Sequence, residues 1–401
     1  MESIKELFRI GSGPSSSHTM GPKKAAQLFA ARNHKVDQYR VTLYGSLAAT
    51  GKGHLTDRAI LSVLEPLAPT EIIWKPEIVL PFHPNGMLYE ALQQDKVIDN
   101  WTIYSVGGGA LADEKTRFEN SKKDIYPLTN IEDIKEWCYR EGKTFWEYVQ
   151  EYESPDIWEY LDTIWTTMCE TIERGLNNDG VLPGGLKVAR KAGTYWVKSQ
   201  SYTGSLSSRS KIYAYALATA EENAAGGTIV TAPTCGSSGV VPAVIYHLAT
   251  SREFLRVRIL RALATAGLFG NIVKTNSSIS GAAVGCQGEV GVACAMAAAA
   301  ACQLFGGTPA QIEYAAEMAL EHHLGLTCDP VCGLVQVPCI ERNAIAAARA
   351  LDANTYAMLS DGTHLVSYDK VVEVMNETGH HLPSLYKETS EGGLAKRVER
   401  K

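Results

Sequence analysis

The chain has 401 residues, 45% of them apolar and 20% charged, which excludes a disordered chain and, at ~150 residues per domain, a single small module. Thirty-eight basic against forty-four acidic residues give a net charge of −6 with no long run of one sign, so nucleic acid is not an expected partner. Nine cysteines in 401 residues fall well short of a disulfide scaffold, and the first fifteen residues lack the apolar core of a signal peptide, so the thiols are expected to work in a reducing cytoplasm.

In chain order, the N-terminal third mixes strands and helices. Residues 39–44, 72–74, 78–80 and 101–106 are rich in β-branched and aromatic side chains and bounded by Gly, Pro or Asn, which predicts short strands. Helical runs are predicted after Gly21, Thr56 and Pro84. Past about residue 130, alanine-rich amphipathic segments take over. Ser154 and Pro155 read as the N-cap and first-turn proline of a helix that carries Ile157, Leu161, Ile164, Trp165, Met168 and Ile172 at helical spacing as far as Gly175. The charge-free stretch 223–251 is long enough to span a bilayer, but Gly226, Gly227, Pro233, Gly236, Gly239 and Pro242 break it repeatedly, which favours a buried loop and helix and no membrane partner. The alanine blocks 293–301 and 344–350 suit the interior of a helical domain. Thr308-Pro-Ala-Gln311 is a capping box opening a helix that should stop at Gly325. The expected fold is an α+β N-terminal domain with a small sheet, residues 1–140, followed by an all-α C-terminal domain, residues 141–401.

Four segments resist a packing explanation. The loop at 11–22 places Ser15, Ser16, Ser17, His18 and Thr19 ahead of a helix, where hydroxyls and backbone N–H groups make a cradle for a carboxylate or phosphate, or else a flexible surface loop. The loop at 45–57 sets Lys52 and His54 among glycines just after a strand; strand-end loops gather catalytic groups, although a lone histidine is more often structural. The small-residue loop at 231–239 either approaches a ligand or permits tight helix packing. Cys286, Cys328 and Cys339 all fall where glycine or proline interrupts helix, so their thiolates can converge from separate segments. Cys138, Cys169, Cys294 and Cys302 lie in apolar helical pattern and read as buried small hydrophobes, with Cys235 and Cys332 ambiguous. The Cys-x-x-Cys spacing of a structural zinc or ferredoxin site is missing.

At these residues the chain resembles the iron-sulfur L-serine dehydratases (L-serine ammonia-lyases) of bacteria over essentially its whole length. The resemblance rests on the runs at 13–22 and 45–54, Pro-Phe-His-Pro-Asn-Gly at 81–86, Ser-Val-Gly-Gly-Gly at 105–109, and Asp-Pro-Val-Cys-Gly-Leu-Val-Gln-Val-Pro-Cys at 329–339. The intervals of forty-one and ten residues separating Cys286, Cys328 and Cys339 are similar to the family's cluster-ligand spacing. The resemblance implies deaminating dehydration of L-serine to pyruvate and ammonia, with the three cysteines holding a 4Fe-4S cluster whose open iron takes the substrate hydroxyl. His54 is the expected general base, with His18 its alternative or a carboxylate partner; Ser15, Ser16, Ser17 and Thr19, helped by Lys52, are expected to pin the carboxylate. A cytoplasmic homodimer is expected. The chain departs from relatives that end in a cysteine able to act as fourth iron ligand: no cysteine follows Cys339, leaving water, another side chain, or Cys332 or Cys235 for that position. An added regulatory domain is not expected. A pyridoxal-phosphate enzyme finds no Schiff-base lysine setting here, and a non-catalytic iron-sulfur sensor leaves the two histidine loops unexplained.

Overall fold

The computed structural model describes residues 1–33, 35–113 and 124–398. A short strand, β1 (Ile10–Ser12), leads through the serine loop into α1 (Gly21–Arg32), and β2 (Gln38–Tyr44), α2 (Gly45–Thr50), α3 (Thr56–Leu64), β3 (Thr70–Lys75), β4 (Gly86–Gln93), β5 (Lys96–Gly107) and β6 (Ala110–Ala112) follow. Five strands form one sheet in the order β3-β2-β4-β5-β6. The β2–β3 pair is parallel and the others antiparallel. Alternation puts Tyr39, Val41 and Leu43 of β2 with Met87, Tyr89 and Ala91 of β4 into one core with Phe29 of α1 and Ile60 and Leu64 of α3.

Two local expectations fail. Residues 78–80 form a loop, held where the Ile78 carbonyl accepts the Gly45 N–H at 2.8 Å. The run after Pro84 is strand β4, not helix. Its Met, Leu, Glu, Ala and Gln are good helix formers, but Gln94 and Asp95, both at positive φ, close a two-residue hairpin onto β5, and tertiary pairing overrides propensity.

The rest is helical: α4 (Ile131–Glu141), α5 (Phe145–Tyr152), α6 (Ile157–Asn177), α7 (Ala192–Gln200) and α8 (Gly204–Ala224) precede β7 (Thr228–Val230). Then come α9 (Val240–Arg252), α10 (Arg256–Asn276), α11 (Gly281–Val284), α12 (Val292–Leu304), α13 (Pro309–Glu321), α14 (Cys339–Leu359), α15 (Tyr368–His381) and α16 (Gly393–Arg397). The alanine-rich α12 is buried on every side, packed among α9, α10, α13 and α14, because methyl side chains let backbones approach closely. The capping box at Thr308 and Gln311 is present, and α13 ends at Glu321, a turn short of Gly325. Residues 223–251 hold the end of α8, β7, a loop and most of α9, and no described helix is long and apolar enough to cross a membrane.

The two parts are sewn together at the chain's beginning. Met1, Ile4, Leu7 and Phe8 are buried in the helical core with Ile131, Ile134 and Trp137 of α4, each large apolar side chain stabilising by about 1.5–3 kcal/mol. β1 pairs antiparallel with β7, Ile10 opposite Val230. Cys138, Cys294 and Cys302 are buried as expected; Cys169 is only half-buried, Cys235 is buried and Cys332 is exposed.

Candidate active site

One cavity lies where the loops of the N-terminal part meet the interrupted helices. Its N-terminal wall begins at Gly13, where a Cβ would come 2.2 Å from the Asn223 carbonyl at the end of α8. Asn223 Nδ2 donates to the Pro14 carbonyl at 2.9 Å. Ser15 then caps a π-helical turn, Ser16–Met20, its hydroxyl accepting from the His18 N–H at 3.1 Å. Ser15, Ser16 and Ser17 line the cavity.

His18 and His54 are clasped to each other's backbone. Thr19 Oγ1 donates to the His54 carbonyl at 2.7 Å, and Thr56 Oγ1 to the His18 carbonyl at 2.6 Å. The two rings lie 4.6 Å apart. Both nitrogens of His18 are engaged, Nδ1 with Ser17 Oγ at 2.9 Å and Nε2 with Ser46 Oγ at 3.1 Å. His54 differs: its Nδ1 sits 3.1 Å from the Thr50 carbonyl. A carbonyl only accepts, so Nδ1 carries the proton and Nε2 is left as a lone pair. That Nε2 is buried without a hydrogen-bond partner, and Glu388 Oε1 stands 3.9 Å from it. Burial, and the neighbouring His54, hold His18 well below the usual imidazole value; burial lowers His54 to about 4. Both rings are neutral at neutral pH.

The opposite wall carries sulfur. Cys286 opens the π-helical turn Gln287–Gly291, Cys328 lies in the segment before α14, and Cys339 is the first residue of α14. All three line the cavity. The sulfurs of Cys286 and Cys328 and a carboxylate oxygen of Glu289 lie within 4.8 Å of one another, a grouping that does not include Cys339. Glu289 accepts from Thr234 Oγ1 at 2.8 Å and lies 3.8 Å from Cys328 Sγ. Cys328 also recruits the C-terminal segment: its N–H donates to the Tyr386 carbonyl at 2.8 Å and its carbonyl accepts the Glu388 N–H at 2.7 Å, which sets Glu388 in the cavity wall. Hydrogen bonding from Cys328 lowers the Cys286 thiol against the opposing effect of burial, whereas burial raises Cys339 well above the ordinary range. Burial, then Glu289 and Cys286, push Glu388 up to about 8. No Lys or Arg is among the described residues that line it; Arg342 stands behind them, donating to the Thr327 carbonyl at 2.6 Å and lying 3.5 Å from Asp329 Oδ1.

The predicted site residues therefore divide. His54, Ser15, Ser16, Ser17, Cys286, Cys328 and Cys339 share one cavity. His18 and Thr19 stand behind its wall and brace His54. Lys52 is not among the described lining residues: its side chain is exposed, with the ammonium 5.6 Å from the Trp74 ring, because the turn that buries His54 points Lys52 outward. Glu289, Glu388 and Asn223 were not singled out from sequence, and Thr234 only as part of the 231–239 loop. Glu289 had a signal, being the sole charged residue between Lys274 and Glu313. Glu388 had none, because a backbone pairing with Cys328, sixty residues earlier in the chain, places it.

The chain matches the family model of the serine dehydratase beta chain over residues 3–72 and that of the serine dehydratase alpha chain over residues 89–395. It is 41% identical to L-serine dehydratase 2 of Escherichia coli (strain K12), with 99% of each chain covered. It is 39% identical to the L-serine dehydratase of Haemophilus influenzae, with 99% of each covered, and 41% identical to that of Streptomyces coelicolor, with 98% of each covered. With matches spanning both walls of the cavity and nearly the whole sequence, the chain belongs to the L-serine dehydratase family of enzymes.

Proposed function

We propose that this enzyme converts L-serine to pyruvate and ammonia at the cavity described above, using a 4Fe-4S cluster held by Cys286, Cys328 and Cys339. The observation that carries the reading is the meeting, in one cavity, of a lone-pair imidazole nitrogen, a serine-rich turn and three cysteines. The donor set suits iron and sulfide, since soft thiolates favour such clusters over hard cations. The wall is also shaped by a missing side chain: a Cβ on Gly281 would lie 2.5 Å from Glu289 Oε2 and 2.9 Å from Cys328 Sγ.

When bound, such a cluster supplies a Lewis-acidic iron that draws electron density from the substrate's β-hydroxyl and eases its departure. The protein's own groups do the rest. Ser15, Ser16 and Ser17 hold the substrate carboxylate, which orients the α-carbon. His54 Nε2, the atom with the free lone pair, takes the α-proton, while the Nδ1 bond to Thr50 fixes the tautomer. The Glu388 carboxyl, 3.9 Å from His54 Nε2 and largely protonated at neutral pH, borders it without supplying a counter-charge. His18, Thr19 and Thr56 hold His54 against rotation. The released 2-aminoacrylate tautomerises and hydrolyses in water without further help. In this reading the division near residue 140 separates a substrate-holding part from a cluster-holding part, and the enzyme works as a cytoplasmic homodimer, whose mass light scattering would report.

The test is anaerobic. Purified and reconstituted protein should contain about four irons and four sulfides per chain, show cluster absorbance, and form pyruvate from L-serine faster than any product from L-cysteine or L-threonine. Single Cys286→Ser, Cys328→Ser and Cys339→Ser variants should lose both absorbance and turnover. Full turnover in any of the three would refute the ligand set.

A further inference from the structure

A second cavity, of about 880 Å³, lies away from the catalytic one, walled by the N-terminal half of α8, the C-terminal half of α9 and the C-terminal half of α14. Its volume is in the range of a small-metabolite site rather than a monatomic-ion site. Among the described residues the lining contains Lys211 and Arg252 and no Asp or Glu, an unusual balance in a chain of net charge −6. Neither cation takes part in an ion pair among the described residues; Arg252 lies 6.0 Å from the centre of the Phe305 ring.

Two buried polar side chains among the lining residues each keep a hydrogen-bonding atom without a partner. His247, 6% exposed, spends Nε2 on Ser208 Oγ at 2.8 Å and leaves Nδ1 without a partner. Asn354, 4% exposed, leaves Oδ1 without one. Buried polar atoms are normally paired, so two orphans lining one cavity point to a ligand or ordered water that completes them. The rim adds a further attraction for negative charge. The 21-residue α8 begins there at Gly204, and its N-cap, Thr203, makes no side-chain capping bond, leaving first-turn N–H groups uncapped by it. Trp196 and Tyr215 supply flat apolar surface beside these polar groups.

We propose that this cavity binds a small organic oxyanion, a carboxylate or phosphate attached to a planar body. Lys211, Arg252 and the α8 N-terminus neutralise the anionic head, the aromatic rings cover the body, and His247 and Asn354 complete its hydrogen bonds. The three helices that wall the site end on the catalytic cavity about 20 Å away at 1.5 Å per residue: α8 at Asn223, α9 just after the Thr234 loop, and α14 at Cys339.

Calorimetric titration of the full-length holoenzyme tests the proposal without reading turnover, so its failure is separate from any failure of the serine reading. Phenyl phosphate and benzoate share a ring and differ in the anionic head; benzyl alcohol is the uncharged control. At least one anion should bind saturably at millimolar concentration or below, with the tighter of the two naming the head group, while benzyl alcohol should not. Lys211→Met with Arg252→Met, both at positions whose loss strands no buried partner, should weaken that binding about tenfold or more. His247→Ala should weaken it in a protein whose circular dichroism is unchanged. Absence of binding by both anions, or equal binding by wild type and the double variant, would overturn the assignment.

Discussion

Removing the Asn343 side chain should cost more than its position on the cavity's outer side suggests. Asn343 is 1% exposed and ties the start of α14 to the 234–239 loop. Its Oδ1 accepts the Gly239 N–H at 2.9 Å, and its Nδ2 donates to the Gly236 carbonyl at 2.7 Å and the Cys339 carbonyl at 2.9 Å. The Cys339 carbonyl keeps its bond inside α14, but the Gly239 N–H and the Gly236 carbonyl lose the partner that Asn343 gave them. At about 1–3 kcal/mol for each stranded buried group, Asn343→Ala should destabilise by about 3 kcal/mol. Asn343→Asp retains the acceptor for Gly239 but turns an oxygen toward two carbonyls, so it should not rescue. Urea unfolding followed by circular dichroism measures this as a lowered midpoint at constant slope. The same clamp sets Cys339 against the Thr234 loop, so iron retention should fall alongside stability. A loss below about 1 kcal/mol in Asn343→Ala would refute the claim that these bonds hold the two segments in register.

His54→Ala should lower kcat by about 10²–10⁴-fold while leaving cluster absorbance intact; persistence of α-proton exchange in that variant would remove His54 as the base. Because burial holds His54 near 4 rather than 6.5, its neutral, proton-accepting form persists as pH falls through 6.5. The acid limb of kcat/KM should therefore lie well below that value, and a limb centred at 6.5 would contradict the burial. Gly281→Ala should reduce bound iron several-fold without unfolding the helices, read by iron analysis and circular dichroism, since its Cβ meets Glu289 and Cys328 directly. Iodoacetamide should label Cys332 first, the exposed cysteine among the nine, as peptide mapping would report; faster labelling of a buried cysteine would argue against the packing described.

Local chemistry made much of this legible in the sequence. The Thr308 capping box, the apolar stripe of α6 and the all-round burial of α12 are each written within about twenty residues, and the family motifs brought the serine turn, His54 and the cysteines to attention. What escaped was non-local. β4 carries helix-forming residues and becomes a strand only because β2 and β5 flank it. Ser154 precedes α6 as read, but Asp156 takes the N-cap position. Lys52 and His54 look equivalent in a glycine-rich loop, and only the turn geometry sends one outward and the other in. Glu388 enters the cavity through its backbone pairing with Cys328, a relation that no spacing rule encodes.

The β1–β7 pairing also bears on how the enzyme comes into being. Ile10 waits for Val230, and the Thr231 hydroxyl that donates to the Leu7 carbonyl at 2.7 Å lies 224 positions later in the chain. At about 5–20 residues per second, the ribosome needs on the order of 10–45 s to deliver those partners. The five-stranded sheet, complete by residue 112, can form in the meantime, whereas the apolar segment around Phe8 and the adjoining serine turn must stay unpaired. The serine turn therefore takes its final place only after the helical part that carries Cys286, Cys328 and Cys339 has begun to fold around it.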